Sequence, residues 1–157
     1  MSDRNGRGPI LMAEDDDDDF YLTRAAFEKA SVANPLVRVR DGVELLEYLR
    51  GRGEWSEPGS APEPVLVLLD LNMPRKDGRE ALCEIRNDPD LRPIPVVVLT
   101  TSQAEEDVLR SYELGVNTFI RKPVTFRGLV RAVKVMGEYW LEIAELPRGQ
   151  VVRREER

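Results

Sequence analysis

The sequence predicts an α/β protein built on a doubly wound sheet of five parallel strands, and three observations lead there. Short runs rich in Val, Ile and Leu alternate with longer stretches of helical apolar spacing. The third and fourth runs, VLVLL and VVVL, are apolar throughout, as expected of strands covered on both faces. Acidic, hydroxyl and amine residues stand at the ends of the runs, and in open parallel sheets ligands collect beyond the carboxyl ends of the strands.

Five short strands are expected at Ile10 to Ala13, Val37 to Val39, Val65 to Leu69, Val96 to Leu99 and Thr118 to Ile120. Helices are expected near 20–30, 43–50, 79–87, 104–114 and 125–146, which makes five βα units joined by right-handed crossovers. Gly115 follows the fourth helix as a C-cap, and Pro89, Pro93 and Pro95 interrupt the chain before the fourth strand. GRGEWSEPGSAPEP, from Gly51 to Pro64, is a Gly/Pro/Ser-rich surface insertion, and VVRREER at the end is expected to fray. The domain reading is a disordered start over 1–8, one globular domain with an extended last helix over 9–146, and a tail over 147–157.

At 157 residues the chain has room for one domain with a real core. A hydrophobic fraction of 41%, a charged fraction of 33% and a net charge of −6 fit a soluble globular protein and disfavour a nonspecific nucleic-acid surface. No stretch approaches the roughly 18 apolar residues of a membrane span, and the polar start MSDRNGRGP is unlike a signal peptide, so a cytoplasmic location is expected. The single cysteine, Cys83, reads as a small packed hydrophobe. Histidine is absent, so carboxylates, amines and hydroxyls must do whatever chemistry the chain performs.

Six consecutive acids, Glu14 to Asp19, follow the first strand. The topology carries Glu14 and Asp15 to the same sheet edge as Asp70, which ends VLVLLD. Three converging carboxylates are unfavourable without a cation, and an all-oxygen cluster suits a hard ion such as Mg²⁺. Asp17 to Asp19 read instead as the first turn of the following helix, where the macrodipole favours negative charge. Thr100 ends the fourth strand and Lys122 follows the fifth; a hydroxyl and an ammonium beside such a cation make a pocket for one dianionic group, most simply a phosphoryl.

The set ED, LLDLNMPRKDG, LTTS and FIRKP resembles the response-regulator receiver domain of two-component signalling, with its CheY-like fold, over roughly residues 9 to 135. That likeness implies a flavodoxin-like strand order 2-1-3-4-5. RDGVELLEYLRGRGEW, DGREALCEIRNDP and EYWLEIAELP are similar, more narrowly, to single-domain regulators that partner phytochrome histidine kinases. The resemblance implies Asp70 as phosphoacceptor, with Glu14, Asp15, Asp70 and the backbone carbonyl of Asn72 as Mg²⁺ ligands. It implies that Thr100 and Lys122 contact the phosphoryl, that Thr100 and Phe119 form the switch, and that the bond before Pro123 is a candidate cis peptide. Many relatives carry Tyr where this chain has Phe119, so any state needing that hydroxyl is in doubt. Lifetime of the modified state is tuned in the family at the positions here held by Asn72 and Ser102. The chain would then be a binding signal carrier, catalysing only its own phosphorylation and dephosphorylation.

Rival readings fit less of the sequence. An aspartyl-nucleophile phosphatase needs a second acid two residues beyond the nucleophile, where this chain has Asn72. Nucleotide binding lacks a G-x-x-x-x-G-K-[ST] loop, and an acidic metal-binding interaction module leaves Thr100 and Lys122 unexplained. Within the receiver reading, a phosphoryl sink without a dedicated output stays open. Leu129, Val133, Met136, Trp140 and Ile143 recur at spacings of four and three, a stripe longer than strands of about 17–20 Å can cover. This predicts a homodimer on the last helix, with Leu146 in the overhanging turn, unless the Gly51 to Pro64 insertion folds back to cover it.

Overall fold

The computed structural model describes residues 8–100, 118–123 and 125–139, with only the backbone placed at Thr100, Thr118 and Phe119. The helix expected near 104–114, Gly115, Ser102, Trp140, Ile143 and Leu146 lie outside the described residues.

Five strands, β1 (Ile10–Ala13), β2 (Leu36–Val39), β3 (Leu66–Asp70), β4 (Val96–Thr100) and β5 (Thr118–Arg121), form one parallel sheet in the order β2-β1-β3-β4-β5. The described α-helices are α1 (Asp17–Lys29), α2 (Gly42–Arg50), α3 (Gly78–Asn87) and α4 (Phe126–Gly137). Because side chains alternate across a strand, the sheet has two separate cores. Leu11, Ala13, Val67, Leu69, Val96 and Val98 pack under α2 and α3. Ile10, Met12, Leu66, Leu68, Val97 and Leu99 pack under α1 and α4.

Each described α-helix starts on a side chain that accepts a backbone N–H: Asp16 for α1, Asp41 for α2, Asp77 for α3 and Thr125 for α4. At α3 the cap is reciprocal, since Glu80 also accepts from the Asp77 amide. The insertion packs on the α2 side of the sheet. Its Trp55 ring meets Tyr48 of α2 edge-on at 4.7 Å, and the Tyr48 hydroxyl donates to the Pro62 carbonyl at 2.8 Å, so the insertion covers the core under α2 and α3.

Three expectations change. Cys83 is exposed, because Ala81, Leu82 and Ile85 take the buried face of α3. No cis peptide occurs among the described residues, so the Lys122–Pro123 bond is trans, the form that X–Pro bonds favour by about 0.5–1 kcal/mol. Val133 and Met136, only 5% and 4% exposed, lie with Leu129 in the chain's own core against α1, so these three are not free for a partner; α4 turns Val135 and Tyr139 outward instead.

The loop after β3 is clamped by the turn before α2. Gly42 donates to the Lys76 carbonyl at 2.8 Å, and a Cβ at Gly42 would collide with that carbonyl. Beside it, Arg75 donates through Nε to Asp41 Oδ2 at 2.8 Å from a left-handed backbone, φ 63°. Burial alone would raise the Asp41 carboxyl, but Arg75 and the Glu44 amide outweigh it and hold it below the usual carboxylate range. A carboxyl depressed in the folded state stabilises above its unfolded pKa, and that contribution is lost as pH falls through the folded one. Asp41→Ala should therefore cost about 1–2 kcal/mol in urea denaturation at neutral pH, and the difference from the unsubstituted chain should narrow in strong acid.

Candidate metal centre

Register brings the acids together. β1 and β3 pair Ala13 with Leu69, so the next residues, Glu14 and Asp70, stand side by side at the carboxyl end of the sheet. Both continue the alternation of Met12 and Leu68, which points them toward the α1 and α4 face. Glu14 is 1% exposed and Asp70 7%, while Asp15 is open to solvent. One oxygen from each of Glu14, Asp15 and Asp70 lies within 4.8 Å of the others, the one such cluster of metal-binding side chains among the described residues.

Gly78 keeps this edge in place. α3 starts so close beneath β3 that a Cβ there would run into the Asp70 carbonyl and the Leu71 Cα, while the Gly78 amide donates to the Leu71 carbonyl at 3.0 Å. The Asn72 amide donates to the Asp70 carboxylate, so the turn meets its acid through the backbone.

Lys122, immediately past β5, supplies the opposing charge. Its Nζ lies 3.4 Å from Glu14 Oε1, 3.6 Å from Asp19 Oδ2 and 3.7 Å from Asp70 Oδ1. Burial and the neighbouring Asp70 push the Glu14 carboxyl up to about 7, against the pull of Lys122. Asp70 is raised too, chiefly by burial, which Lys122 and the Asn72 amide only partly offset. Burial would lower the Lys122 ammonium, but Asp70, Glu14 and Asp19 outweigh it and raise it.

The acidic run divides almost as its sequence suggests. Asp16 caps α1, accepting from the Asp19 amide at 2.9 Å, and Asp17 and Asp18 lie exposed in the first turn. Asp19 departs from that division, because its position in the first turn brings its carboxylate back to Lys122. Thr100 ends β4 opposite Arg121, the residue before Lys122, and Phe119 pairs with Val98 two steps earlier. Their side chains lie outside the description. Sequence reasoning missed Asp19 and also Arg38, whose Nε donates to the Glu14 carbonyl at 2.9 Å. The alternation in LVRVR could have flagged Arg38, since it occupies a strand position rather than a loop.

Three carboxylate oxygens, two of them in buried groups, fit a hard divalent cation. A sequence profile of the response regulator receiver domain matches residues 10–134. The chain is 43% identical over 148 residues to the response regulator Rcp1 of Synechocystis, covering 94% of this chain and 99% of that one. The phosphorylated cyanobacterial phytochrome response regulator RcpA superposes with a TM-score of 0.79 at 45% identity, over 89% of this chain and 98% of its own. The Mn²⁺-bound form of Rcp1 gives a TM-score of 0.77 at 42% identity, over 89% and 99%.

A cation must displace the proton that Glu14 retains below about pH 7, so Mn²⁺ or Mg²⁺ affinity should fall between about pH 8 and pH 6. Calorimetric titration checks this, and also the division of the acids. Asp15→Asn should weaken binding by about tenfold or more, whereas the exposed Asp18→Asn should leave it within about twofold. Equal losses would contradict the division.

Proposed function

Because the chain belongs to the response regulator receiver family, we propose that Asp70 is its phosphoacceptor and that its partner is a phytochrome-type histidine kinase. The observation that carries the first point is the meeting of Glu14, Asp15 and Asp70 within 4.8 Å under the Lys122 ammonium. The second is supported by the match to RcpA and Rcp1 over nearly their whole lengths.

This chain has no histidine, so the phosphoryl comes from elsewhere. A carboxylate oxygen of Asp70 forms a bond to the phosphorus of the partner's phosphohistidine as the P–N bond breaks, and the electron pair stays on the imidazole nitrogen. Lys122, held beside Asp70 and Glu14, favours the ionised Asp70 that attacks and then faces the new phosphoryl oxygens. Glu14, Asp15, Asp70 and the Asn72 carbonyl are the ligands proposed for Mg²⁺, which when bound neutralises charge on the transferring group. Thr100, at the end of the adjacent strand, is the proposed hydroxyl donor. Its movement toward the phosphoryl would free Phe119 to repack and so alter the surface beside β5. The signal is thus a change in binding, and the reading implies a cytoplasmic chain with no nucleic-acid or membrane partner.

Incubation with acetyl phosphate and Mg²⁺ should add one base-labile phosphoryl, seen by mass spectrometry. Asp70→Asn should abolish it, while undiminished labelling would contradict the assignment.

A two-fold homodimer on the end of the last helix belongs to the same proposal. Val135 and Tyr139 are 58% and 52% exposed on the face turned from the core, and Ile143 continues their four-residue spacing in the sequence. Light scattering at micromolar concentration should report twice the monomer mass. Val135→Glu should shift it toward monomer, and a chain that is monomeric with or without phosphorylation would exclude the dimer.

A further inference from the structure

We infer that Arg38 is a positioning residue of the metal centre, holding the Glu14–Asp17 loop in shape from beneath. The inference rests on the cation site proposed for Glu14, Asp15 and Asp70. Arg38 lies on β2, paired with Met12 of β1, and its side chain is only 9% exposed. From there one guanidinium meets both ends of the loop. Nε donates to the Glu14 backbone carbonyl at 2.9 Å, and Nη1 pairs with Asp17 Oδ1 at 2.7 Å. Its Cζ also lies over the Phe20 ring, 5.0 Å from the centroid, which ties it to the buried side of α1.

Asp15, a proposed ligand, and Asp16, the helix cap, lie between those two anchors. Glu14 is fixed on its other sides as well, since its amide donates to the Val39 carbonyl at 3.0 Å and its Oε2 accepts from the Asp16 amide at 3.1 Å. Lys122 meets the ligand carboxylates, whereas the hydrogen bonds of Arg38 go to the Glu14 backbone carbonyl and to Asp17, neither of them a proposed ligand carboxylate. Its remaining nitrogen, Nη2, is buried without a hydrogen-bond partner. Burial of an unpaired donor is unfavourable, and the ion pair is made to an Asp17 carboxylate that is 63% exposed, where solvent screens it. Fold stability alone therefore gives little reason for an arginine here, whereas a bidentate grip on the ligand loop does.

Sign separates this role from simple electrostatics. Removing a positive charge near three carboxylates should tighten cation binding if Coulomb interaction is all that matters. Loss of a group that orients ligands should weaken it, typically by about tenfold or more. Arg40 provides the matched control, because it pairs with the same Asp17 oxygen at 3.4 Å but is 63% exposed and does not contact Glu14.

The test is calorimetric titration of Mg²⁺ alone into the unsubstituted chain, Arg38→Met, Arg38→Lys and Arg40→Met, with circular dichroism melts on each. Positioning predicts weaker binding by about tenfold in Arg38→Met, a smaller loss in Arg38→Lys, little change or tighter binding in Arg40→Met, and little change in melting temperature. Arg38→Lys retains a charge beside Asp17 and serves as the folded variant if Arg38→Met does not fold. Binding that is unchanged or tighter in a folded Arg38 variant would overturn the inference while leaving the metal site intact. Failure of the unsubstituted chain to bind Mg²⁺ would instead overturn the metal reading on which it rests.

Discussion

Glu14 and Asp70 are carboxyl groups almost wholly withdrawn from water at neighbouring strand ends, and they cannot both carry charge without a cation beside them. Lys122 supplies one charge against four acids, Glu14, Asp15, Asp70 and Asp19, so the edge is short of positive charge. That deficit makes the edge receptive to a divalent ion, while burial first and the neighbouring Asp70 second push the Glu14 carboxyl up to about 7.

Much of the surrounding structure holds these groups together despite their repulsion. Parallel register places Glu14 beside Asp70. Glycine at 78 lets α3 approach the backbone under Asp70, and glycine at 42 lets the turn before α2 grip the loop after it, reinforced by Asp41 and Arg75. Arg38 fastens the other loop from below. At Gly42 and Gly78 the backbones approach so closely that an added Cβ would collide with a carbonyl, so any side chain there would push the loop or the helix away from this edge.

The strand plan is legible because buried parallel strands read as continuous apolar runs, and VLVLLD shows both a strand and the carboxylate that ends it. Glu14, Asp15, Asp70 and Lys122 were legible as a group because strand ends in such a sheet share one edge. What depended on helix phase was harder to read. From sequence Asp19 belongs wholly to the helix start, yet its place in the first turn also directs it to Lys122. Residue type alone makes Cys83 a packed side chain, but Ala81, Leu82 and Ile85 take the buried face of its helix. The stripe on the last helix was recognised, but its ordinary use in covering the sheet extends through Met136. Arg38 escaped notice because a charged residue in an edge strand ordinarily signals solvent, and only the fold shows the Glu14 carbonyl beside it.

One cation site is expected from Glu14, Asp15 and Asp70 beside Lys122, with Asp16, Asp17 and Asp18 serving the helix and Asp19 reaching Lys122. Anomalous diffraction from crystals soaked in Mn²⁺ tests it most directly. The account predicts one strong peak bonded to oxygens of Glu14, Asp15 and Asp70 and none on Asp16, Asp17 or Asp18. A peak held by that helix-start trio, with the strand-end carboxylates bare, would contradict it.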